Sequence, residues 1–159
     1  RKNRVKEEGV MNIEAKDVAN YFLFKAQGTT EEDQELISNL KLQKLLYYAQ
    51  GLHLAIYNKP LFSDKIEAWT YGPVVPDLYH YYKKYNANGI QADKTFDPSI
   101  ISKETREFLD EIYEAFGQFS AIRLMHLAHS DQCWADTDIG NEITCDSMKR
   151  CLKKYLKNG

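Results

Sequence analysis

A compact single domain, all-α or nearly all-α, with five to six helices and at most a short extended segment near residues 66–72, is the fold class this sequence predicts. Three observations carry it. Apolar side chains recur at helical spacing in successive stretches, as at Leu42, Leu45, Leu46, Ala49, Leu52 and Ile56. Capping residues and glycines bound those stretches, and only residues 66–71 alternate in strand fashion. The chain has 159 residues, 43% hydrophobic and 28% charged, which suits one buried core rather than two.

The first helix is predicted over residues 14–27, EAKDVANYFLFKAQ, where Val18, Tyr21 and Phe22 share a face and Gly28 stops the repeat. An acidic run, EEDQE at 31–35, links it to a central helix over 39–58. Gly51 lies mid-helix, at a cost of about 1 kcal/mol relative to Ala, and is expected to let another backbone come close. Pro60 marks a turn. In WTYGPVVP, residues 69–76, Pro73 fixes its own backbone and disfavours helix at Gly72, so the chain must turn, and Pro76 suits the first position of a third helix. Asp77 follows in its first turn and Asn88-Gly89 closes the unit. After the turn at Asp97-Pro98-Ser99, Ser102, Ser120 and Thr144 can each cap a helix, with Gly117 ending the first of these three. Residues 1–10, RKNRVKEEGV, show no apolar periodicity and are expected to be a leader outside the fold, leaving the domain over 11–159 from Met11.

Chemistry finds little purchase in these residue types. His126, His129 and Cys133 stand three and four residues apart, but a fourth ligand would have to come from Cys145 or Asp131, and structural zinc prefers recognisable pairs. Cys133 has His129 nearby without an oxyanion-hole motif, and no phosphate-binding glycine loop occurs. The expectation is therefore no catalytic residues, no metal, no cofactor and no enzymatic activity. Three cysteines without paired spacing fit reduced thiols, and with no apolar run of membrane-spanning length the expectation is a cytoplasmic protein with no membrane partner.

The eleven tyrosines are more informative, because Tyr and Trp supply stiff contact area at interfaces. Their concentration between residues 47 and 85 points to a recognition face, against the plainer reading of an aromatic core with polar tips. The basic final segment, Lys149 to Lys157, supports the alternative of a DNA-binding regulator of its own operon. A net charge of −2 and the lack of a partner helix argue against it.

Residues 41–82, KLQKLLYYAQGLHLAIYNKPLFSDKIEAWTYGPVVPDLYHYY, together with LAHSDQCW at 127–134, resemble the signature of the Panacea domain, the SocA-like antitoxin family that includes phage-associated GepA-like proteins. Ala128 stands where a serine is common, and Cys133 where a proline often precedes the tryptophan. The resemblance implies a type II antitoxin that binds and neutralises a cognate protein toxin, typically encoded by an adjacent gene. In the founding case the antitoxin is also a proteolytic adaptor that delivers its toxin to a Clp protease. A signature can mark packing as well as recognition. We assign Leu42, Leu45, Trp69, Val74, Pro76, His129 and Trp134 to the structural motif, and Lys41, Lys44, Tyr47, Tyr48, Tyr71, Gly72 and Pro73 to the toxin-binding face.

Overall fold

A helix that is apolar on nearly every side is stable only when surrounded by protein. Residues 39–57 are such a helix, and in the computed structural model, which describes residues 13–28 and 35–156, the rest of the chain is built around it. This helix, α2 (Asn39–Tyr57), is preceded by α1 (Ala15–Gln27). It is followed by strands β1 (Ile66–Trp69) and β2 (Gly72–Val74), then by α3 (Pro76–Tyr82), which tightens into a 3-10 turn over Lys83–Tyr85. A 3-10 turn at Pro98–Ile100 leads to α4 (Lys103–Phe116), α5 (Ala121–His129), the single-turn α6 (Gln132–Ala135), β3 (Glu142–Ile143) and α7 (Cys145–Leu152), ending in 3-10 residues Lys153–Leu156. The leader expected over 1–10, Met11, and the acidic residues 31–34 lie outside the described residues.

The molecule is mostly helical, with two differences from expectation. Seven α-helices stand among the described residues rather than five or six, because the segment after His129 closes a separate turn, α6. The extended segment is a true hairpin, and β3 adds to it to make an antiparallel sheet of order β2-β1-β3. Glu67 faces Val74 on one side and Glu142 on the other. A strand of two residues, more than seventy positions from its partner, leaves no periodic signal.

The helix ends form for the reasons their residues suggest. Ser102 accepts from Thr105 N (3.2 Å), Ser120 from Arg123 N (3.0 Å) and Thr144 from Ser147 N (3.1 Å). Pro76 opens α3 where its missing N–H is no loss, and Gly28 and Gly117 close α1 and α4. The first amide of α1, Ala15 N, donates to Asp64 Oδ1 (3.0 Å), so the loop after α2 caps α1.

The central position of α2 is visible in what it does with polar groups. Every residue from Leu42 to Leu52 is buried, Gln43, Lys44 and Gln50 included. Gln50 accepts from Leu61 N (2.8 Å) and Phe62 N (3.2 Å) and donates to Phe62 O (2.7 Å), pinning the loop that carries Pro60. Gln43 donates to Asn39 Oδ1 (2.9 Å) and accepts from Val75 N (2.8 Å), fixing the start of α3. Buried amides left unpaired would each cost about 1–3 kcal/mol, so these loops are tied to α2 as firmly as the apolar core is. Ile56, expected on the buried face, is exposed, because α2 emerges from the core in its last turn. Where α7 crosses α2, a Cβ built on Gly51 would lie 2.1 Å from Leu152 Cδ1 and 3.2 Å from its Cγ. The close approach expected of another backbone at Gly51 is thus made instead by the Leu152 side chain.

Gly51→Val should therefore destabilise the fold by about 1–3 kcal/mol in urea unfolding, as overpacking does. A loss below about 0.5 kcal/mol would mean that α7 yields without cost.

Candidate functional site

The hairpin is held through its backbone by side chains from elsewhere in the fold. Trp69 pairs with Gly72, so Thr70 and Tyr71 form a two-residue turn. Gly72 adopts φ +113°, open to glycine, and a Cβ there would fall 2.5 Å from Lys44 Cε. Pro73 sits in an edge strand, where its missing N–H is tolerated. Its carbonyl accepts from Lys44 Nζ (3.2 Å). From the other side, His129 Nε2–H donates to Thr70 O (3.0 Å), the role a carbonyl partner requires, and Trp134 Nε1 donates to Trp69 O (2.9 Å). The rings of His129 and Trp134 lie 4.3 Å apart. Trp69 donates its own Nε1 to Glu67 Oε1 (2.9 Å) and packs edge-on against Tyr79. The backbone of residues 69–73 is thus held by side chains of α2, α5 and α6, and the turn presents Tyr71 at 66% exposure.

Behind this clamp lies a buried carboxylate. Asp131, fully enclosed, accepts from Tyr47 and Tyr48 on Oδ2 (2.9 Å each), and on Oδ1 from Tyr155 (2.9 Å) and Lys154 Nζ (2.8 Å). Burial, and then the negative charge of Asp131, push the Tyr47 and Tyr48 phenols well above the usual tyrosine range, so both remain donors. Tyr48 also stacks on Phe116 at 4.4 Å. Cys133 faces Tyr47 OH (3.2 Å) and its amide donates to Cys151 Sγ (3.1 Å). Burial, followed by the bond with Cys151, pushes the Cys133 thiol up to about 12.

Beside the hairpin runs a groove of about 1040 Å³, walled by the start of α2, by the hairpin, by the end of α3 and by α5. Seven large apolar side chains are exposed among the described residues, and three of them, Tyr71 (66%), Ile122 (55%) and Ile139 (59%), line this groove. Trp69 and Met125 continue the apolar wall between them.

The residues assigned to a toxin-binding face divide sharply. Tyr71 is on the surface. Lys44, Tyr47 and Tyr48 are wholly enclosed and Gly72 and Pro73 are buried, so none offers its side chain to a docked protein. The reason is physical: on a helix buried all round, a tyrosine must find an acceptor inside, and Asp131 is that acceptor. Lys41 is half-buried and donates to Gly117 O (2.6 Å) at the C-terminus of α4, where a cation is favoured. Of the residues assigned to packing, Leu42, Leu45 and Val74 lie in the core, while Trp69, Pro76, His129 and Trp134 are half-buried around the hairpin. The sequence gives no hint of Ile122 and Ile139 as site residues, since an isolated exposed isoleucine is unremarkable until folding gathers several.

Among the described residues no three His, Cys, Asp or Glu side chains are grouped to hold a metal. A thiol raised to about 12 is a poor nucleophile near neutrality, and His129 engages the hairpin. In the basic last segment Lys154 pairs with Asp131, Arg150 with Asp146, and Lys149 with Asn58 Oδ1, while Lys157 lies outside the described residues. No described helix is long and apolar enough to cross a membrane.

Comparison with known proteins adds to this geometry. The family model for the SocA-like antitoxin, Panacea domain, matches residues 42–135, a span holding all but the first three residues of α2, the hairpin, the groove walls of α3 and α5, and Asp131. Antitoxin SocA from Caulobacter vibrioides (strain NA1000 / CB15N) is 33% identical over 132 residues, covering 75% of this chain and 66% of that relative. No solved structure matches.

Two outcomes follow from the buried groups. Asp131→Asn should lower the unfolding free energy by at least about 2 kcal/mol, because it replaces a carboxylate that satisfies four donors. Urea titration checks this. Desolvation lowers the Lys44 amine to about 7. The unfolded chain keeps that proton to the ordinary lysine range, so the unfolded state binds more protons above pH 7 and stability rises with pH. The slope should approach about 1.4 kcal/mol per unit between about pH 7 and 9, and Lys44→Met should flatten it.

Proposed function

The chain belongs to the SocA-like antitoxin family defined by the Panacea domain, and from that premise we propose that it is a type II antitoxin that neutralises a cognate protein toxin by direct binding at the groove beside the hairpin. The observation that carries this reading is the convergence of Tyr71, Ile122 and Ile139 on one groove next to a backbone clamped from two sides. Large apolar groups exposed together are what an interface uses, and a turn already fixed loses little entropy on docking. The role is one of binding, without a catalytic step or cofactor, exercised in the cytoplasm on a toxin encoded nearby. Delivery of the bound toxin to a Clp-type protease is a further step that this docking would permit.

The test is growth of a bacterial host expressing the neighbouring open reading frame with and without this protein. Wild type should relieve the arrest. Tyr71→Ala and Ile122→Asp should retain the helical circular dichroism and melting temperature of wild type, both positions being exposed, yet lose most of the rescue. Full rescue by both variants would remove the groove from the mechanism. If the neighbour is toxic and wild type does not relieve it, the pairing itself is wrong.

A further inference from the structure

Glu67 and Lys83, the two charged side chains that line the groove above the buried Lys44, are satisfied unequally. Glu67, the acidic side chain lining it, is engaged by the Trp69 indole through Oε1 (2.9 Å). Lys83, at the end of α3, also lines the groove, is exposed, and has no acceptor or ion pair for its ammonium among the described residues. Apolar surface alone would accept many segments. Apolar surface beside an exposed lysine that lacks an acceptor, where the nearby glutamate already has a donor, favours an occupant that brings its own carboxylate to Lys83.

Resting on the antitoxin reading above, we propose that the groove takes a segment of the partner that combines bulky apolar side chains with a carboxylate, the apolar groups seating against Ile122, Ile139 and Tyr71 and the carboxylate meeting Lys83. The apolar contacts hold the complex together. The charge pair, at the rim, sets the rate of encounter and the register in which the segment lies.

The experiment measures binding of the purified product of the adjacent gene to the full chain, by calorimetry for affinity and by stopped flow for rates, at low and high salt. Lys83→Glu should weaken binding at least about tenfold, chiefly through a slower association, with the gap narrowing as salt rises. Lys153→Glu, an exposed lysine away from the groove, should leave affinity unchanged. Replacing the partner's Asp and Glu residues one at a time by Lys should identify one position that restores binding to the Lys83→Glu variant. If Ile122→Asp weakens binding while Lys83→Glu does not, docking is purely apolar and the carboxylate assignment is overturned. Equal losses from Lys83→Glu and Lys153→Glu would indicate diffuse charge attraction and overturn it as well. Failure of the wild-type chain to bind at all, together with failure to rescue growth, would instead bring down the antitoxin reading on which this one rests.

Discussion

The Asp131 carboxylate is the constraint around which the rest of this fold is organised. An enclosed carboxylate is costly unless every lone pair is met, and here α2 and the segment after α7 supply the donors to a carboxylate carried by the α5–α6 junction. The two tyrosines on α2 fix how far that helix can turn about its axis. Tyr155 and Lys154 fix where the chain must pass after α7. Once the junction between α5 and α6 is placed by Asp131, His129 two residues before it and Trp134 three residues after it fall within reach of the hairpin backbone. The exposed turn at Tyr71 is thus positioned from the interior, through one short stretch of chain that faces the core with one residue and the surface with its neighbours.

That arrangement gives a physical account of two sequence stretches that stand far apart. KLQKLLYYAQ supplies the donors Lys44, Tyr47 and Tyr48 and the amides Gln43 and Gln50. LAHSDQCW supplies the acceptor Asp131 and the two ring donors to the hairpin. The hairpin lies between them and is bonded by both. Much of what these stretches encode is therefore internal bonding, while the surface proposed to face a partner is drawn from residues such as Ile122 and Ile139, whose identity the bonding leaves open.

Much of the helical skeleton is legible in the sequence because its signals are local. Ser102, Ser120 and Thr144 cap, Pro76 opens α3, and Gly28 and Gly117 close their helices through atoms within a few residues of each other. The site was far less legible. Helical spacing shows that Tyr47 and Tyr48 lie on α2, but only the fold reveals that an aspartate 84 and 83 positions later awaits them inside. The place of Lys44 is hidden for the same reason, since a lysine belongs outside unless the helix is enclosed and a carbonyl such as that of Pro73 comes to it. From its neighbours Asp131 offers itself only as a loop carboxylate. The third strand, two residues long, pairs with β1 across a separation that no periodic pattern records.

The distance in sequence between the parts of the Asp131 cluster also has a consequence for synthesis on the ribosome. Tyr47 and Tyr48 leave the exit tunnel long before their acceptor, and Tyr155, with the Leu152 side chain that seats on Gly51, comes last of all. A nascent chain that has produced α2 holds a helix with buried lysine, tyrosine and glutamine positions and nothing yet to satisfy them. Contacts of such long range close slowly, and they cannot close before their last members exist. Completion of the fold therefore waits until residues 152–155 have emerged, and a chain interrupted before α7 lacks two of the four donors to the buried carboxylate and the side chain that seats on Gly51.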